Sequence, residues 1–153
     1  MKVLAACILV LLVGAASVDA SCKPVVGHFE ATLVFPGQGH CPSDPSAFCT
    51  SGRVWGGIQG NYQFVMTGSV SSATLGGPAS VLFFTGRSVV FLKNGSQITG
   101  TDTGSIDLPM IGGQGGFASL ITFGPRSQIR LRGEFDPDAA TTSGDYIGSM
   151  CSE

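Results

Sequence analysis

Beyond residue 20, apolar and polar positions alternate with a period of two. Phe29, Ala31, Leu33 and Phe35 alternate with His28, Glu30 and Thr32. Tyr62, Phe64 and Met66 alternate with Gln63 and Thr67, and Ile129, Leu131 and Phe135 with Gln128, Arg130, Arg132 and Glu134. This pattern sets one face of a strand on a core and the other in solvent. The runs Val81–Phe84, Val89–Leu92 and Phe117–Phe123 are apolar on both faces, which predicts strands covered on both sides. No stretch after Ala20 keeps a helical period over three turns.

Turn chemistry separates these runs. Asn94-Gly95, between Val89–Lys93 and Ser96–Thr101, is the strongest hairpin signal in the chain. Asp102-Thr103-Gly104 and Gly76-Gly77-Pro78 are expected to act as turns in the same way. About eight or nine short strands result, the spacing of a sandwich or a barrel. Gly56, Gly57, Gly60, Gly86, Gly100, Gly133 and Gly148 fall in or beside strands, where glycine allows a sheet to bend sharply. The expectation is an all-β fold: a small closed antiparallel barrel of about eight strands, spanning residues 21–153 as one domain.

Residues 1–20 read differently. Lys2 precedes an apolar run from Val3 to Val13, then small residues, and Val18-Asp19-Ala20 offers a cleavage site. This is the three-part pattern of a secretory signal peptide. The run is too short for a membrane anchor, which needs about 20 apolar residues. The expected location is therefore extracellular, with no membrane anchor.

Composition agrees with export. Five cysteines occur, and Cys7 would leave with the signal. Cys22, Cys41, Cys49 and Cys151 remain, an even set that predicts two disulfides in an oxidising compartment. Three pairings are open. The preferred one closes the short loop Cys41–Cys49 and leaves Cys22–Cys151 to tie the chain ends together. A zinc site from His40, Cys41 and Cys49 has no common ligand spacing. The net charge is −2 and only 12% of residues are charged, so no basic stripe exists to neutralise phosphates and nucleic acid is not an expected partner.

Motifs that resemble chemistry lack their context. Asp102-Thr103-Gly104-Ser105 matches an aspartic-protease loop, but one copy stands alone and such sites need two aspartates sharing a proton. It reads better as a polar turn. Phe35-Pro36-Gly37-Gln38-Gly39 has no serine elbow or helices to accompany it. Gly112-Gly113-Gln114-Gly115-Gly116 lacks the lysine of a phosphate loop, and Asp136, Asp138 and Asp145 lack calcium-loop spacing. Neither His28 nor His40 has a signature serine nearby. Asn94-Gly95-Ser96 is a glycosylation sequon on an exposed turn, so Asn94 is a candidate acceptor. No metal and no cofactor is expected.

The segment Asp107-Leu108-Pro109-Met110-Ile111-Gly112-Gly113-Gln114-Gly115-Gly116-Phe117 resembles the glycine turn and following Phe strand of plant dirigent proteins, with a similar turn in the allene oxide cyclases. Gly60-Asn61-Tyr62, the strands around Phe83 to Leu92 and the ending Gly144-Asp145-Tyr146-Ile147-Gly148 extend the likeness loosely over Arg53 to Met150. Gln114 stands where those families carry Thr. The resemblance implies an eight-stranded barrel, often trimeric, with an apolar pocket at one mouth that steers a reactive ligand by shape. The expected function is binding of a small apolar or phenolic ligand, with Glu30, Arg53, Tyr62 and Arg87 as candidate pocket residues. The alternatives are a structural or interaction protein that assembles through its outer sheet, and a secreted hydrolase.

Overall fold

The computed structural model describes residues 21–108 and 114–152. Eight strands run β1 (Cys22–Val34), β2 (Cys49–Gly56), β3 (Gly60–Ser71), β4 (Val81–Leu92), β5 (Gln97–Asp107), β6 (Gly115–Phe123), β7 (Ser127–Asp136) and β8 (Thr141–Cys151). Each pairs antiparallel with the next, and β8 pairs back onto β1, so the sheet closes into an up-and-down barrel with no free edge. The predicted signal segment and the centre of the dirigent-like glycine turn lie outside the described residues.

The period-two alternation becomes inside and outside. Phe29 and Ala31 of β1, Tyr62 and Phe64 of β3, Ile121 of β6 and Ile129 and Leu131 of β7 are buried in one core. Four phenylalanines fill much of it. Phe64 packs edge-on to Phe84 at 5.5 Å, and Phe84 stacks on Phe117 at 5.9 Å. Glycine makes this packing feasible: a Cβ on Gly86 would fall 2.1 Å from the Phe64 ring, and one on Gly104 would fall 2.6 Å from Phe84 Cζ.

The apolar runs are not covered on both faces. Alternation turns Phe84 and Val90 inward and leaves Phe83 and Phe91 of the same strand exposed. A small closed barrel has only one apolar interior, so the outward half of each run stays on its surface.

The two ends differ. One carries tight turns around 57–59, 93–96 and 124–126, and there the Cys22–Cys151 disulfide joins β1 to β8. Tyr146 closes that end from inside: its hydroxyl accepts from Ile58 N at 2.7 Å and donates to Ile58 O at 3.1 Å. The other end carries the longer loops 35–48 and 72–80. The Cys41–Cys49 disulfide pins the first of these, and Met66 N bonds Phe48 O to hold it against β3. Asn94-Gly95 forms the β4–β5 hairpin turn, with Gly95 at φ 84°.

Asp102-Thr103-Gly104 is not a turn. The three residues lie in mid-β5, opposite Gly86, Thr85 and Phe84 of β4. Asp102 takes an inward position between Gly100 and Gly104, whose missing side chains leave it room beside Ile121 and Phe84.

Candidate functional site

A group of polar side chains sits at the middle of a largely apolar interior. Asp102 is 1% exposed. Ser88 Oγ donates to its Oδ2 at 2.9 Å, and the Tyr62 hydroxyl donates to the same oxygen at 3.5 Å. The Tyr62 and Ser88 oxygens are 3.2 Å apart. Asp102 Oδ1 and Ser119 Oγ are buried and neither makes a well-formed hydrogen bond among the described residues, although the Ser119 hydroxyl lies close enough to favour the ionised carboxylate.

Burial governs the electrostatics. It pushes the Asp102 carboxyl up to about 6, against the opposing pull of Ser88, then Ser119, then Tyr62. Burial foremost, and the neighbouring Asp102 charge next, push the Tyr62 phenol far above its ordinary value. Tyr62 is therefore a fixed neutral donor, and Asp102 is the group that changes charge near neutrality.

Asp102 and Tyr62 line a cavity of about 30 Å³ whose other walls include Phe29, Phe64, Phe84 and Leu131. Toward the long-loop end it is bounded by Phe48, Met66 and Phe117, which are only partly buried. That volume holds one or two waters. Anything larger requires those mouth residues to move.

The four candidate pocket residues separate. Tyr62 is inside, at the polar group. Glu30 and Arg53 face each other in register on the outside of β1 and β2, and both line an external groove. Arg87 is exposed on the outside of β4, in neither place. Sequence reasoning missed Asp102, Ser88 and Ser119 as members of one site.

His28 bonds the Asp145 carboxylate on the outer face, and both are exposed. No serine hydroxyl is bonded to either among the described residues, so this pair is not a hydrolytic triad. No cluster of metal-ligating side chains occurs among the described residues. No described helix is long and apolar enough to cross a membrane. No family model, curated protein or solved structure gives a significant match to the chain.

Proposed function

We propose that the protein is a secreted barrel that takes the apolar body of a small ligand through its long-loop mouth and holds the ligand's hydroxyl on Asp102. One observation carries this reading: a carboxylate 1% exposed, lining an apolar cavity, with no well-formed hydrogen bond to Oδ1 among the described residues and only the Ser119 hydroxyl nearby to satisfy it. A buried carboxylate oxygen without a well-formed hydrogen bond costs on the order of 1–3 kcal/mol, a cost that a ligand's hydroxyl would relieve. A phenol or alcohol would donate to Oδ1 while its ring or chain lies against Phe29, Phe84 and Phe117. Tyr62 and Ser88 hold Oδ2 and so fix the carboxylate plane. The dirigent-like glycine turn, the two disulfides and the signal-like leader support the same reading, in which a reactive phenolic ligand would be steered by shape.

A second reading rests on the outer face. Val26 and Ile147 are registered neighbours, 59% and 62% exposed, and Val70 is registered with the exposed Phe83. Such surface supports self-assembly, with the trimer of the dirigent-like families as the model.

Native mass spectrometry of the protein from its own source separates the two. A co-purified small mass on any oligomer supports the ligand reading. A bare oligomer that takes up no apolar dye supports assembly alone and removes the first.

A further inference from the structure

The outer groove that gathers Glu30 and Arg53 has the chemistry of a different ligand. It encloses about 630 Å³, within the range of small-molecule sites and far larger than the interior cavity. Two aromatic rings line it: Trp55 on β2, 44% exposed, and Phe91 on β4, 39% exposed. The cross-strand row Glu30, Arg53, Asn61, Phe91 runs along it, each residue in register with the next. At one end Lys93 Nζ donates to Gln59 Oε1 at 2.7 Å, and the two side chains form a polar wall. The His28 ring packs beside Trp55 at 5.8 Å and is itself held by Asp145, so the indole has a braced position.

Exposed aromatic rings with planar polar groups set between them match a sugar. The C–H face of a pyranose lies on an aromatic ring, and its adjacent hydroxyls pair with carboxylate, amide and guanidinium groups. The side chains of Glu30, Arg53 and Asn61 make no hydrogen bond or ion pair among the described residues, so their donors and acceptors are open to such hydroxyls. A protein partner or a second copy fits less well, because it would bury Glu30, Arg53 and Lys93 at the centre of an interface, where charged residues are depleted. Single-stranded nucleic acid could stack on the rings, but a chain of net charge −2 gives its phosphates no supporting field.

We infer that the groove between Trp55 and Phe91 is a carbohydrate-binding site for one or two pyranose rings, independent of the barrel interior. Trp55 is the single tryptophan in the sequence, so its fluorescence reports the groove directly. The experiment titrates the intact protein with cello-, chito-, xylo- and galacturonate oligosaccharides, following tryptophan emission and heat of binding.

The expected result is saturable binding of one of these, with a shift in Trp55 emission. Trp55→Ala and Phe91→Ala should each weaken it by at least about tenfold by calorimetry. Asp102→Asn, inside the barrel, should bind the sugar as the parent does. Circular dichroism confirms that each variant is folded, and Asn61→Ala gives a milder test if either aromatic variant is not. Absence of binding by all four up to about 10 mM overturns the inference. So does binding that survives both aromatic changes, or an emission shift that follows protein concentration alone.

Discussion

Ser88 and Asp102 meet at the middle of the barrel: the serine hydroxyl donates to Asp102 Oδ2 at 2.9 Å, and neither side chain is more than 1% exposed. Burial raises this carboxyl from 3.8 to about 6, so between those values the folded state holds a proton that the unfolded chain releases. Stability from this group is therefore present at low pH and lost as pH rises through about 6, by about 3 kcal/mol in all. Asp102→Asn should melt higher than the parent near pH 7.5 and close to it near pH 4. Thermal melts across that range check it.

The aromatic core should respond to truncation in two ways. Phe84 touches both Phe64 and Phe117. Phe84→Ala should cost about 3–5 kcal/mol, and it should enlarge the cavity beside Asp102. Denaturant unfolding gives the first quantity, and increased uptake of an apolar dye gives the second.

Gly86→Ala is a small change with a large expected penalty. Its Cβ would meet the Phe64 ring at 2.1 Å and the Val65 carbonyl at 2.8 Å. Overpacking of this kind costs roughly 1–3 kcal/mol, read as a lower denaturant midpoint.

The two disulfides should contribute unequally. Cys22–Cys151 spans 129 residues and Cys41–Cys49 spans 8. In the chain-entropy account these are worth about 5 and about 2.5 kcal/mol. Paired serine replacements, compared by urea unfolding, should show that order. The second pair should also loosen Phe48 at the mouth, measurable as faster amide exchange at Met66, whose N–H bonds the Phe48 carbonyl.

Much of the barrel can be read from the chain. The alternation at Phe29-Ala31 and Ile129-Leu131, together with the Asn94-Gly95 turn, gives strands, facing and an antiparallel hairpin. Closure follows from glycines such as Gly86 and Gly104, which sit where a ring from a neighbouring position needs their space. The site was harder to see. Ile98, Gly100, Asp102, Gly104 and Ile106 carry a period-two pattern, but glycines and a carboxylate weaken its apolar signal and imitate a turn. The threonines at 99, 101 and 103 were the available clue, since they hold the outward positions of a strand. Glu30 and Arg53 come together only through the β1–β2 register, while Tyr62 points the other way on β3. That division needs the closed sheet.

The most direct test of the ligand site compares p-cresol with toluene, which differ by one hydroxyl, in calorimetric or NMR titrations above pH 6, where Asp102 is ionised. The account predicts that p-cresol binds at least about tenfold more tightly, and that Asp102→Leu erases the difference. Equal affinity for the two in the parent protein, or no binding of either, would contradict it.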